Sequence, residues 1–110
     1  MSAITINVVI EQGSDFAATF TIKNADGSYL NLTGFTAESK MKKSYYTSSS
    51  VALNVTFTDR SRGMITLSLP AATTTTLTPK RYVYDIILTS PIGVKTRVVE
   101  GIATVTPGVT

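Results

Sequence analysis

The chain has 110 residues, a formal charge of +3, no cysteine and no histidine. A chain of this length can bury one hydrophobic core without disulfides, so we expect a single domain over residues 1–110. The missing residue types exclude cysteine nucleophiles, histidine-based triads and the usual zinc sites. We therefore expect a protein that is not an enzyme and binds no cofactor.

Signals for export and membrane insertion are absent from the sequence. No basic segment followed by an apolar one stands at the N-terminus, so we expect no signal peptide. No apolar run approaches the roughly 20 residues of a membrane-spanning helix, so we expect no membrane partner. Only 15% of the residues are charged, and the small basic excess gives a weak preference for anionic partners.

The first third of the chain alternates apolar and polar residues, which is typical of half-buried β-strands. The strands predicted here are residues 4–11, 16–23 and 28–32. Gly13 interrupts the alternation between the first two strands. Gly27 ends the clearest turn, since glycine accepts positive φ angles without a steric penalty, and Gly34 lies where the chain changes direction.

Residues 35–43 form the next predicted strand, in which Glu38, Lys40 and Lys42 share one face. Lysines are common on strands at the open edge of a sheet, where they oppose pairing with other chains. We therefore predict an edge strand here, followed by a loop over the serine-rich residues 44–50.

Two hairpins are predicted in the C-terminal part of the chain. Residues 52–58 pair with 63–69. The threonine-rich segment that follows is too short for a stable helix, but it has room for one helical or 3₁₀ turn. Residues 82–89 pair with 94–105 across a four-residue loop, in which Gly93 and a proline suit a hairpin.

Four residues of the second hairpin receive structural roles. Tyr82 follows a turn and is predicted to form a tyrosine corner, in which its hydroxyl bonds back to the backbone. Tyr84 is assigned to the core face, and Asp85 is predicted to pair with Arg97 across the hairpin. The alternation changes phase near Gly101, and we predict a β-bulge there.

The even spacing of short strands is the main signal of fold class. Seven or eight strands separated by turns predict an all-β fold, an antiparallel β-sandwich with Greek-key connections. Neither an internal repeat nor a second domain is visible in the sequence.

Acidic residues could carry chemistry, but each has a simpler structural interpretation. Asp85 and Glu100 could act as paired catalytic carboxylates. Pairing of Glu100 with Lys80 or Arg81 explains that residue more simply. Calcium could bind aspartates in turns, although their spacing matches no calcium-binding loop. The aspartates concerned are Asp15, Asp26 and Asp59.

One basic segment is the main candidate for binding a partner. Its residues are Lys40, Lys42, Lys43, Tyr45 and Tyr46. The lysines could hold a phosphate backbone while the rings stack on bases, or the segment could bind a glycan. A solvated strand and loop is the alternative, because nucleic-acid-binding domains usually have denser basic clusters. Nucleic acid is therefore not the expected partner.

Several short motifs occur in an order that resembles one family of viral proteins. The motifs are Gln12-Gly13, Asp26-Gly27, Leu32-Thr33-Gly34, Gly63-x-Ile65-x-Leu67-x-Leu69, Tyr82-x-Tyr84-Asp85, Gly93, Arg97-Val-Val-Glu-Gly101 and Val105-x-Pro107. Together they resemble the N-terminal domain of upper-baseplate and tail-fibre attachment proteins of tailed bacteriophages. That domain is an immunoglobulin-like β-sandwich.

The resemblance implies a non-enzymatic virion structural protein, which connects baseplate or tail-fibre parts by binding other virion proteins through strand edges and loops. It also implies a homo- or hetero-oligomer that is assembled in the host cytoplasm. A capsid decoration protein is one alternative. A nucleic-acid- or glycan-binding module that uses residues 40–46 is the other.

Overall fold

The computed structural model describes residues 3–44 and 50–108, which form an all-β fold. Their strands are β1 (Ile4–Thr5), β2 (Val8–Glu11), β3 (Phe16–Thr21), β4 (Thr36–Lys42), β5 (Val51–Asp59), β6 (Met64–Leu69), β7 (Arg81–Thr89) and β8 (Lys95–Thr106). A 3₁₀ turn at Arg60–Arg62 joins β5 to β6. The short helix α1 (Ala71–Thr74) lies in the threonine-rich segment that has room for one helical or 3₁₀ turn. Within the described residues, no helix is long and apolar enough to cross a membrane.

The strands form one mixed sheet in the order β1–β8–β7–β4–β5–β6–β3, and β2 also pairs with β8. Most neighbours are antiparallel, but β1 and β2 run parallel to β8. The antiparallel arrangement predicted from the sequence is therefore wrong for these two strands. The reason is that β2 pairs with the C-terminal strand, while β3, which follows it in the chain, pairs with β6.

Strand β5 connects two sections of the sheet. Its first three residues, 51–53, pair with β4, and from Asn54 onward it pairs with β6. The buried apolar residues of both sections pack together in one cluster. The sheet thus curls around this core, and the inward-facing residues alternate with outward-facing ones along each strand.

Strand β4 is not the predicted edge strand. It pairs along its whole length with β7, and on its other side residues 39–41 pair with β5. Lys40 and Lys42 project from the outer face of the sheet, because side chains in a strand stand perpendicular to the direction of the backbone hydrogen bonds. The lysines that suggested an edge therefore belong to a solvated face.

Residues 28–32 do not form the predicted strand and make only an isolated bridge between Lys23 and Tyr29. The turn before them is as predicted, since the Gly27 backbone N–H donates to the Asn24 carbonyl at 3.0 Å. Positive φ angles occur at four of the glycines that were given structural roles. These are Gly13, Gly27, Gly34 and Gly93.

Tyr82 forms the predicted tyrosine corner. Its hydroxyl donates to the Thr78 carbonyl at 3.0 Å, and the ring is 4% exposed. The hairpin that follows closes through the Ser90 backbone N–H, which donates to the Val94 carbonyl at 2.9 Å, with Gly93 in the loop. This hairpin is therefore the part of the fold that the sequence predicted most closely.

The β-bulge of β8 lies at Val98 rather than at Gly101. The register between β7 and β8 shifts there by one residue, so Val98 and Val99 are both buried, which accounts for the change of phase seen in the sequence. Gly101 serves a different purpose. A Cβ atom at this position would lie 2.1 Å from the carbonyl oxygen of Ile6, where the N-terminal segment crosses β8.

Tyr84 holds this crossing in place. Its hydroxyl donates to the Ile6 carbonyl at 2.5 Å, and its side chain is 4% exposed. Burial raises the pKa of Tyr84 from 10.0 to about 12. The core tyrosine predicted from the sequence is thus also a polar contact between β7 and the N-terminal segment.

We expect Gly101→Ala to lower the free energy of unfolding by roughly 3 kcal/mol, because the new methyl group meets backbone that cannot move without breaking pairs with β8. Gly93→Ala is the matched control. Gly93 has φ of 88° with nothing within 4 Å of an added Cβ, so that change should cost only about 1–2 kcal/mol of backbone strain. Urea denaturation measures both, and an equal or smaller cost at Gly101 would contradict the crossing.

We expect the stability of the protein to fall between pH 10 and pH 12 partly because of Tyr84. The unfolded chain loses the Tyr84 proton near the ordinary pKa of 10.0, whereas the folded chain keeps it until about 12. The unfolded state is therefore favoured as the pH rises through this window. Denaturation curves measured across this window should show a weaker dependence of stability on pH for Tyr84→Phe than for the wild type.

Candidate binding surfaces

The outer face of β4, β7 and β8 forms a shallow depression of about 430 Å³, here called the charged depression. It is lined by Glu38, Lys40, Lys42, Val83, Tyr84, Asp85, Ile87, Arg97 and Glu100. Arg97 and Glu100 share this face although they are three residues apart, because the bulge at Val98 shifts the alternation of β8. The bulge thus brings a base and an acid of one strand beside β7.

Arg97 bridges two acidic residues in the charged depression. Its Nε lies 3.2 Å from Oδ2 of Asp85, and its Nη1 lies 3.7 Å from Oε2 of Glu100. Asp85 and Glu100 are directly opposite in the register, where like charges would repel each other without the guanidinium. The predicted pair of Asp85 with Arg97 is present. Glu100 pairs with Arg97 and not with Lys80 or Arg81, since Arg81 lies opposite a threonine of β8.

The charges of the depression balance, with three acidic and three basic side chains. On β4, Nζ of Lys40 lies 3.2 Å from Oε1 of Glu38, and both side chains are more than half exposed. A surface that binds a phosphate backbone needs a local excess of positive charge. The charged depression has no such excess, so it does not favour nucleic acid.

Asp85 and Glu100 do not have the arrangement of catalytic carboxylates. A glycosidase-type pair flanks its substrate in a cleft, with room between the two acids. Here one guanidinium contacts both carboxylates, and the residues lie on an open sheet face. The geometry is that of an ion-pair network that stabilises the β7–β8 hairpin.

The predicted partner-binding residues are only partly brought together. Lys40 and Lys42 line the charged depression, and Lys43 is exposed just after the end of β4. Tyr45 and Tyr46 lie outside the described residues. The structure therefore places two of the five predicted residues in one surface.

Arg60 has a structural role that the sequence did not reveal. Its Nη1 donates to the carbonyls of Leu32 and Phe35, at 2.8 and 2.9 Å, and its guanidinium lies 3.9 Å from the ring centre of Phe57. It thereby fastens the loop before β4 to the end of β5. No local pattern distinguishes this arginine, because the two carbonyls to which it donates are more than 20 positions away in the chain.

The turn aspartates bond to the backbone or to neighbouring side chains and lie in separate turns. Asp15 accepts a hydrogen bond from the Ala71 backbone N–H at 2.7 Å. Asp26 accepts from the hydroxyl and the backbone N–H of Ser28, and these bonds, the hydroxyl first, hold its pKa below the ordinary value. Asp59 accepts from the hydroxyl of Ser61. Among the described residues, no group of acids could hold a metal ion.

Among the described strands, the order of the sheet ends at β1 and β2 on one side and at β3 on the other, and the edge formed by β1 and β2 is interrupted. The Ile6 backbone N–H donates to the Glu100 carbonyl at 2.9 Å, and the Ile6 carbonyl accepts from Tyr84. The side chain of Asn7 accepts from the Ile102 backbone N–H at 3.0 Å. These contacts turn the middle of this edge inward, towards β8 and β7.

The other edge is β3, a continuous strand of six residues that pairs with β6 on one side only, within the part of the chain that the structure describes. Its outward side chains Ala17, Thr19 and Thr21 are exposed and uncharged. Such an edge lacks the lysines, prolines and bulges that usually prevent pairing with another chain. The sequence prediction placed the open edge at residues 35–43 and missed this one, because uncharged outward positions give no signal of an edge.

Neither a protein-family model nor a curated protein matches the chain. Among solved structures, the filamin domain of Lin-41 is similar, with a TM-score of 0.51 and 16% sequence identity over 91% of this chain and 84% of that one. An internalin-like protein of Listeria monocytogenes gives a TM-score of 0.49 with 15% identity, over 96% of this chain and 28% of its own length. At these identities the filamin likeness bears on the fold alone.

We expect Arg97→Met to lower the free energy of unfolding by about 1 kcal/mol, because Asp85 and Glu100 are then left opposite each other without a cation. Adding Glu100→Gln should recover part of the loss, since only one acid remains. Lys95→Met is the control on the same strand and should have little effect. Thermal denaturation measures all four proteins, and a loss that Glu100→Gln does not reduce would argue against the network.

Proposed function

We propose that the chain is a non-enzymatic structural protein of a bacteriophage virion, an immunoglobulin-like β-sandwich that binds other virion proteins through the open edge of its sheet. In this proposal it connects baseplate or tail-fibre parts and is assembled in the host cytoplasm. The observation that carries the binding mode is the open edge of β3.

The strand order supports the sandwich. One layer consists of β1, β2, β8, β7 and β4, and the other of β3, β6 and β5, with the start of β5 also paired to β4. The chain passes between these layers from β3 to β4 and again from β6 to β7 through α1, which are connections of the Greek-key type. The likeness to a filamin domain supports the same architecture.

The β3 edge supports binding by addition of a strand. An exposed edge offers unpaired backbone N–H and C=O groups, with which an extended segment of another protein can continue the sheet. The small side chains of Ala17, Thr19 and Thr21 leave room for such a segment. The charged depression is less suited, because five of its six charged side chains already pair with one another.

The virion role is supported by the resemblance in motif order described above. Residues of several of those motifs have defined structural roles in this chain. Tyr82 forms the corner, Tyr84 holds Ile6, and Gly101 makes room for the crossing. A motif set that encodes one fold in this detail supports membership in a group of proteins with a shared architecture. The capsid decoration protein remains the alternative that uses the same binding chemistry.

We expect the chain, carrying a C-terminal tag, to be incorporated into particles of the phage that encodes it. Immunogold labelling should then mark the tail tip or the fibres, and labelling over the whole capsid would indicate the decoration protein instead. Thr21→Lys, which puts a charge on the β3 edge, should reduce incorporation, because charged edges resist strand addition. Thr56→Lys, on the same outer face but in β5, should not.

Two results would contradict the proposed function. The first is a chain that is absent from purified particles and binds none of their dissociated proteins. The second is a Thr21→Lys variant that folds and is incorporated as efficiently as the wild type, since binding would then not use β3.

A further inference from the structure

The β3 edge carries a charge pattern that is complementary to itself. Asp15, just before the strand, and Lys23, just after it, lie on the same outward parity as the three uncharged residues between them. One end of the edge is thus acidic, the other is basic, and the middle is neutral. Both charged residues are exposed.

The residues of β3 whose side chains are exposed are also those whose backbone N–H and C=O groups point away from β6. The Ile22 backbone N–H donates to the Gly63 carbonyl at 2.8 Å, which fixes the even-numbered residues as those that bond towards β6. The hydroxyls of Thr19 and Thr66 lie 2.9 Å apart, as expected for a directly opposed pair without backbone hydrogen bonds, where side chains are closer. The N–H and C=O groups of Ala17, Thr19 and Thr21 therefore face solvent.

These two observations select one register for a second copy of the strand. If two β3 strands meet antiparallel about a two-fold axis at Thr19, then Thr19 faces itself and Ala17 faces Thr21. Every outward backbone group then has a partner, in a ladder of about six hydrogen bonds. In the same register, Asp15 of each copy lies opposite Lys23 of the other.

We propose that the β3 edge binds a second copy of this chain, in an antiparallel two-fold pair centred on Thr19. This inference rests on the proposed function, because it names a second copy of the chain as the virion protein that the β3 edge binds. The contact is isologous and uses the β3 edge of each copy, so it produces a closed pair rather than a growing fibre. The row of Thr56, Thr66 and Thr19 then continues across both copies.

Thr19→Lys tests the two-fold axis directly. Because Thr19 faces its own copy, a charge of either sign at this position opposes an identical charge. We expect the dimer dissociation constant, measured by sedimentation equilibrium, to rise at least about ten-fold, since directly opposed like charges destabilise a ladder. Thr56→Lys is the matched control in the same row and should change it less than about two-fold.

Complementary charge changes test the register. Lys23→Glu and Asp15→Lys should each weaken the homodimer, because each places like charges at both ends of the contact. An equimolar mixture of the two variants should form a heterodimer about as tight as the wild-type pair, since both ends are again complementary. Asp15 also bonds to the Ala71 backbone N–H, so circular dichroism and thermal melting must first show that this variant is folded.

Three results would overturn the proposal. The first is a wild-type chain that sediments as a monomer up to about 1 mM. The second is an equal change in the dimer dissociation constant for Thr56→Lys and Thr19→Lys. The third is an equimolar mixture of the folded charge variants that does not associate. A monomeric chain that still enters virions through β3 would remove the second copy and leave the proposed function standing. A monomeric chain that binds no virion protein would remove both.

Discussion

The fold depends on the crossing of the N-terminal segment over β8. The Ile6 carbonyl lies where Gly101 has no side chain, and it accepts the hydroxyl of Tyr84, while the Ile6 N–H bonds to the Glu100 carbonyl. Together these contacts fix β1 and β2 on β8 in parallel register. Because β1 and β2 pair with β8, they are not available to pair with β3. The open edge on which the proposed binding depends is therefore a consequence of this crossing.

The bulge at Val98 has a comparable effect on the opposite face of the hairpin. The shift by one residue buries Val98 together with Val99 and turns both Arg97 and Glu100 outward beside Asp85. The resulting network balances much of the charge in the charged depression. A surface whose charges are mostly paired already gains little from a charged partner, whereas the backbone groups at the β3 edge have no strand partner among the described residues.

The candidate site was predictable only in part, and the reason lies in what strand patterns encode. The alternation of β4 correctly placed Lys40 and Lys42 outside, yet the same residues gave a wrong prediction of an edge. A lysine on a strand indicates that its face of the sheet is exposed to solvent. An edge, in contrast, is a strand whose backbone lacks hydrogen-bond partners on one side, in the plane of the sheet and perpendicular to the side chains. At β3 the outward residues carry no charge, so nothing conspicuous in the sequence marked the edge that is open.

By itself, the sequence determined most of the strands, which of their faces are buried, the turns at Gly27 and Gly93, and the corner at Tyr82. Each of these follows from local chemistry, namely a two-residue period, a backbone that needs glycine, or a hydroxyl within reach of the preceding turn. Only the tertiary structure decided which strands are neighbours, where the bulge lies and which edge stays open. Those features depend on contacts between residues far apart in the chain, and the two hydrogen-bonding sides of a strand are chemically alike until a neighbour occupies one of them.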